Sequence, residues 1–160
     1  MLIRLAGKSD ETAIWSIIGP VIRAGEAYAL DRELSEAEAL AYWNGPDRET
    51  FVAEEDGQIL GTYYLRSNQA GGGNHVANCG YMTAPAAQGR GIARLMGEHS
   101  LEQARARGYR AMQFNFVVAI NQRAVNLWTS LSFAIVGRLP LAFRHPSQGY
   151  VDALIMFRAL

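Results

Sequence analysis

Tyr81-Met82-Thr83-Ala84-Pro85-Ala86-Ala87-Gln88-Gly89-Arg90-Gly91-Ile92-Ala93 is the stretch whose reading decides the fold. His75 to Thr83 has the character of a strand, and it ends at Pro85. A helix is predicted from about Gly89 to Arg107, with Ile92, Leu95, Met96 and His99 along its apolar stripe and Gly108 placed as its C′ residue. Glycines at 89 and 91 remove side chains from the turn, so main-chain N–H groups can approach a phosphate at the positive end of the helix dipole. Arg90 and Arg94 add formal charge nearby. The loop is not a P-loop, because no Gly-Lys-Ser/Thr follows. It is not a dinucleotide loop either, because Arg94 stands where a third glycine is needed.

Toward the N-terminus, Leu2 to Leu5 is predicted as an opening strand. Ile14, Ile17, Ile18, Val21 and Ile22 follow at helical spacing, with Pro20 expected to kink or split that helix. Ser35 and Glu38 have capping-box spacing at the start of a second helix, which Asn44-Gly45-Pro46-Asp47 stops. Asp56-Gly57 between Phe51–Glu55 and Gln58–Leu65 is a hairpin signal. Toward the C-terminus, Tyr109 to Val118 is predicted as a strand. Asn121 caps a helix carrying Ala124, Leu127, Trp128 and Leu131 on one face. Phe133 to Leu139 and Tyr150 to Arg158 are predicted strands around a loop from Pro140 to Gly149. A meander followed by β-α-β-α-β implies a mixed, mostly antiparallel α/β sheet flanked by helices on both faces.

Composition narrows the class. At 160 residues, 49% hydrophobic and 19% charged, the chain is expected to be a single folded domain spanning residues 1–160 rather than a disordered segment. Lys plus Arg and Asp plus Glu are both 15, which gives no electrostatic reason to expect nucleic acid or an anionic membrane as partner. The one cysteine, Cys79, permits no internal disulfide and no Cys–His zinc cluster, so no metal site is expected. No signal-peptide pattern and no membrane-length apolar run occurs, and a cytoplasmic protein is the expectation.

Gln88-Gly89-Arg90-Gly91-Ile92-Ala93 resembles the Gln/Arg-x-x-Gly-x-Gly/Ala signature of the GNAT superfamily of acyl-CoA-dependent N-acetyltransferases. The likeness covers nearly the whole chain. It includes the opening strand, the first helix, the Asp-Gly hairpin and Asn121-x-x-Ala124-x-x-Leu127-Trp128-x-x-Leu131-x-Phe133. The resemblance implies acetyl-CoA as co-substrate. Met82 and Thr83 would bond the pantetheine arm through their main chain, Gln88, Gly89, Arg90, Gly91, Ile92 and Ala93 would hold the pyrophosphate, and Asn121 would contact CoA. It also implies a bulge splaying the 75–83 strand from the next, and a homodimer joined through the closing strands.

The sequence departs from that family at two positions. Trp128 stands where many members carry a tyrosine that protonates the leaving thiolate, and indole N–H is no acid. His75-Val76-Ala77-Asn78-Cys79-Gly80-Tyr81-Met82-Thr83 holds no carboxylate where many members place a general base. His75 is the remaining candidate base, Tyr81 the candidate acid and Cys79 a candidate acyl carrier. A narrower resemblance, through Asn74 to Tyr81, Phe114-Asn115, Asn121 and Val151-Asp152-Ala153, is to fungal acetyltransferases of the proline analogue azetidine-2-carboxylate. It implies Asn78 and Asn115 at the substrate site. The expected activity is acetyl transfer to a small-molecule amine, amino-acid or proline-analogue-like. The same residues leave open a non-catalytic acyl-CoA-binding or sensing module, and an acceptor that is a protein N-terminus or lysine. Tyr28, Tyr42 and Trp43 are candidate wall residues, and Arg144, His145 and Asp152 are candidates for the substrate mouth.

Overall fold

The computed structural model describes residues 1–160. Strand β1, Leu2–Leu5, leads to helices α1, Glu11–Ala24, and α2, Glu36–Trp43. Strands β2, Arg48–Glu55, β3, Gln58–Ser67, and β4, Val76–Thr83, follow as a meander. Helix α3, Ile92–Ala106, strand β5, Ala111–Val118, and helix α4, Gln122–Ser130, come next. Strands β6, Ala134–His145, and β7, Gly149–Ala159, close the chain. All seven strands form one sheet ordered β1-β2-β3-β4-β5-β7-β6, and only β4 and β5 pair in parallel.

The two faces of the sheet carry separate cores. Ile14, Ile17, Ile18 and Ile22 of α1, with Ala39 and Trp43 of α2, pack on Val52, Tyr64 and Met82. On the other face, Ile92, Met96, Leu101 and Ala104 of α3, with Val125 and Trp128 of α4, pack on Tyr63, Leu65, Cys79, Met112 and Phe114. Each such aliphatic side chain contributes about 1.5–3 kcal/mol on full burial. Alternation therefore sends Arg66, Asn78, Gly80 and Met82 toward α1 and α2, and Ala77, Cys79 and Tyr81 toward α3 and α4. Gly80 is needed where it stands, because a Cβ there would lie 2.7 Å from the Tyr64 ring.

Local signals explain most element ends. Ser35 accepts a hydrogen bond from Glu38 N–H, and the Glu38 carboxylate accepts one from Ser35 N–H, so the capping box is formed. The Asp56-Gly57 turn has positive φ at both residues, 51° and 76°, as a two-residue hairpin requires. Two expectations need correction. Helix α1 is not split at Pro20 but runs on to Ala24 and ends at left-handed Gly25, because the isoleucine stripe holds both of its halves on the sheet. The predicted 140–149 loop is largely strand: β6 runs through Pro140 to His145. Pro140 is tolerated because β6 is an edge strand with an irregular register between Leu139 and Phe143. Asp152 holds that irregularity by accepting from Leu141 N–H at 2.9 Å and pairing with Arg138 at 2.8 Å, so its carboxylate is committed to β6.

Candidate active site

Strands β4 and β5 part almost as soon as they meet. Their ladder joins Val76 to Ala111 and Ala77 to Met112 and goes no further. The irregularity that accompanies this fork lies on β5, not on β4. Phe114 and Val117 span Met156 and Leu154, so Asn115 and Phe116 stand opposite one β7 residue, whereas β4 pairs with β3 in unbroken register. The expected bulge is thus present on the neighbouring strand. A cavity of about 280 Å³ occupies the fork.

Side chains replace the missing ladder at the apex. Asn78 is buried and its Nδ2 donates to Gln113 O at 2.9 Å, while Arg66 Nε donates to Asn78 Oδ1 at 3.4 Å. Gln113 Nε2 donates to Asn115 Oδ1 at 3.0 Å, and Asn115 Nδ2 donates to Asn68 Oδ1 at 2.6 Å. The structure therefore brings Asn78 and Asn115 together on one floor, each with a partner that holds it. Leaving such an amide unpaired in a buried site costs about 1–3 kcal/mol.

Along the open side of the fork, main-chain groups of β4 face away from β3. Tyr81 N–H donates to the Tyr28 hydroxyl at 2.7 Å, and that hydroxyl donates to Tyr81 C=O at 2.8 Å. One phenol from the segment between α1 and α2 thus satisfies both. Burial raises the Tyr28 hydroxyl above the ordinary tyrosine range, so it stays protonated. Tyr28 and Tyr42 line the cavity as wall residues; Trp43 is buried in the core, its Nε1 donating to Thr62 at 3.0 Å.

The loop before α3 has the form the sequence predicts. Gly89 and Gly91 sit at φ 80° and 79°, where a side chain is strained. The N–H groups of Gly89, Gly91, Ile92, Ala93 and Arg94 have no hydrogen-bond partner within the chain, and all lie at the N-terminus of a 15-residue helix. Arg90 pairs with Glu55, and Arg94 Nη2 donates to Ser130 Oγ at 2.7 Å. Arg123 of α4 brings its guanidinium within 3.9 Å of a Cβ built on Gly89 and has no ion pair. Asn121 caps α4 by accepting from Ala124 N–H at 3.2 Å, and it also lines the cavity. Donors without partners, clear of side chains and beside an unpaired guanidinium, fit the pyrophosphate of a CoA thioester.

Of the other candidate residues, Cys79, Tyr81 and Trp128 also line the cavity, and His75 does not. His75 precedes β4, is exposed and does not line the cavity; its carbonyl accepts from Arg110 N–H at 2.9 Å. The Tyr81 hydroxyl is 2.7 Å from Ser100 Oγ under α3, and burial raises it well above the ordinary tyrosine range. Burial pushes the Cys79 thiol up to about 12, which leaves no thiolate to carry an acyl group at neutral pH. Trp128 is buried against Tyr81 and Phe114, with ring centroids 4.7 and 4.8 Å away. The cavity lining includes no histidine and no carboxylate, and Arg66 is its one formal charge. Sequence reading missed Tyr28's main-chain contact, Arg66 and Arg123, because each depends on contacts between distant segments.

A parallel pair that splays after two residues, beside a helix start with unpartnered N–H groups, is a slot next to a potential anion site, as an acyl-CoA-dependent enzyme requires. Residues 21–133 match the model of the acetyltransferase (GNAT) family, and the chain belongs to that family. It is an acetyltransferase that uses acetyl-CoA. A GCN5-related N-acetyltransferase from Kribbella flavida is 41% identical and superposes with a TM-score of 0.94 over 99% of this chain and 97% of that one. N-acetyltransferase aca1 of Schizosaccharomyces pombe is 28% identical over 151 residues, covering 84% of this chain and 72% of that protein. The fold is also that of yncA from Salmonella typhimurium, solved with its cofactor acetyl-CoA, with a TM-score of 0.87, 24% identity and coverage of 100% and 94% of the two chains. No helix is long and apolar enough to cross a membrane.

Proposed function

We propose that this acetyltransferase moves the acetyl group of acetyl-CoA to the amine of a small molecule, amino-acid or proline-analogue-like, by direct attack in a ternary complex. The observation that carries this reading is the fork, floored by Asn78 and Asn115 and lined by no carboxylate. A protein lysine or polyamine would find no anion in it, which argues against basic acceptors. The resemblance to the azetidine-2-carboxylate enzymes implies a role at the acceptor for the same two asparagines, which supports this reading.

In this reading the partnerless N–H groups from Gly89 to Arg94, with Arg123, bind the pyrophosphate. The main chain of Thr83, and of Tyr81 in place of the Tyr28 hydroxyl, and the amide of Asn121 hold the pantetheine arm, while alternation along β4 turns the main-chain groups of Met82 to β3 and takes it out of that role. Asn78 and Asn115 aim the acceptor. The amine nitrogen attacks the thioester carbon, the C–N bond forms, and the C–S bond breaks to release CoA thiolate. The ammonium proton leaves to water or to that thiolate. No side chain on the cavity wall is suited to remove a proton at neutral pH, so the acceptor reacts as the neutral amine.

The apolar residues exposed on the closing hairpin, Ile135, Val136, Leu139, Leu141 and Tyr150, support a homodimer formed through β6, which sedimentation of a Val136→Lys variant would test. A cytoplasmic location fits the single free cysteine.

The test of the reading is CoA-thiol release from acetyl-CoA across proline analogues, amino acids, polyamines, aminoglycosides and short peptides, with the product mass read in parallel. Release with amino acids or proline analogues, and an acetylated product, is the expected result. Acetyl-CoA binding with no release for any acceptor favours a non-catalytic acyl-CoA-binding module instead.

A further inference from the structure

The inference concerns what the acceptor must carry besides its amine. It rests on the reading above and names the group that fixes the substrate class. Arg48 and Arg66 are direct cross-strand partners on β2 and β3, and Asn78 is the next partner across on β4. Like charges opposite one another are unfavourable and need an anion between them. Asp47 is that anion, but it serves both arginines. It pairs with Arg48 at 2.8 Å and with Arg66 at only 3.3 Å. Arg48 is further held by stacking on Tyr42 and Tyr64, with its carbon 4.9 and 4.6 Å from the ring centroids. Two guanidiniums and one carboxylate leave an excess positive charge on this row.

Arg66 is where that excess meets the cavity. It lines the fork, while Asp47 and Arg48 do not. Its two contacts inside the chain are both long, 3.3 Å to Asp47 and 3.4 Å to Asn78, and its Nη2 has no partner. A guanidinium has five N–H donors in a fixed fork suited to two oxygens of one carboxylate. The Asn78 amide beside it is the residue assigned to the acceptor. We propose that Arg66 binds a carboxylate on the acceptor, so that the enzyme takes zwitterionic amino-acid-like amines and rejects cationic amines without an acid group. The carboxylate of an amino acid whose amine is neutral balances the excess charge; a simple ammonium adds to it.

Matched acceptors test this: L-proline against L-prolinamide, and L-alanine against L-alaninamide. The amides keep the amine and make it less basic, so an enzyme that senses only the amine favours them. The expected result is kcat/KM for the acid about tenfold or more above that for its amide. Arg66→Gln lowers the acid value about 10- to 100-fold, chiefly through KM, as loss of a charged hydrogen bond does. It lowers the amide value less than the acid value, since only the contact to Asn78 is altered there, and leaves KM for acetyl-CoA within about twofold. Arg66→Lys, which keeps the charge without the fork, retains part of the preference. Equal use of acid and amide, or a preference that survives Arg66→Gln, overturns the inference while acetyl transfer stands. The same pairs are added to CoA-saturated protein in thermal-shift measurements. Arg66-dependent stabilisation by acids with no turnover of any amine upholds carboxylate binding and rejects acetyl transfer. No shift and no turnover rejects both.

Discussion

The loop from Gln88 to Ala93 and the floor of the fork face the same reaction but are built from different materials. The loop presents main chain: bare N–H groups at a helix start, exposed by two left-handed glycines. The floor presents side chains, with Asn78 from β4, Asn115 from β5, Arg66 from β3 and Tyr28 from the segment before α2. Main-chain recognition tolerates changes in neighbouring side chains as long as the backbone holds its shape. Side-chain recognition can be retuned one residue at a time. In the proposed reading the donor, common to the family, falls to the first region and the acceptor to the second. Substitutions should therefore separate donor binding from acceptor chemistry.

The largest effect should come from the loop. Gly89→Val puts a branched side chain at φ 80° and in the path of the N–H groups. Losing one or two charge-assisted hydrogen bonds predicts an acetyl-CoA Kd raised about 30- to 100-fold by calorimetry, with the acceptor KM within about threefold. A comparable loss on the acceptor side would show that the two regions are not separable. Asn78→Ala should do the opposite. It removes the bond to Gln113 O and, with it, the proposed acceptor contact. Turnover is expected to fall about 10- to 100-fold while acetyl-CoA affinity stays within about threefold. Equal loss of both contradicts the assignment of Asn78 to the acceptor.

Tyr28 belongs to both regions, since a side chain there covers main chain. Tyr28→Phe leaves Tyr81 N–H and C=O without their partner. The expected cost is about 1–3 kcal/mol of stability by urea unfolding. Saturating acetyl-CoA should narrow the gap to wild type, because the ligand takes up those groups. An unchanged gap means that the thioester arm does not reach Tyr81.

Far from the fork the effect should be smallest. The Tyr63 hydroxyl is 2.7 Å from His99 Nδ1, and burial holds His99 below its ordinary value of 6.5. Because the folded value is depressed, the stability it contributes is full above about pH 6.5 and is lost as pH falls through the lower folded value. Melting temperatures between pH 5 and 7 should therefore fall less steeply in His99→Gln than in wild type. Equal slopes would leave His99 without a part in that loss.

The same division explains what was legible in the sequence. The loop, the Asp56-Gly57 turn and the Asn121 cap are local, fixed by residues within a few positions, and each forms as expected. The asparagines of the floor were visible as polar residues in apolar strands. Their partners were not, because Gln113 O lies 35 residues from Asn78 and Asn68 lies 47 from Asn115. Arg66 carried no signal in the sequence, because its meaning depends on the register that sets Arg48 opposite it. Pro20 and Pro140 misled for one reason. A local breaker was given its intrinsic weight, while a buried isoleucine stripe in one case and an edge position in the other removed most of its effect.

The central claim is that the fork orients a neutral amine and supplies no titrating base. The dependence of kcat/KM on pH tests it most directly, measured with two acceptors whose amines differ in basicity. The account predicts that log kcat/KM rises with unit slope up to each acceptor's own amine pKa, so that the break moves when the acceptor is changed. A break between pH 6 and 9 that stays at the same pH for both acceptors would belong to the enzyme and contradict the claim.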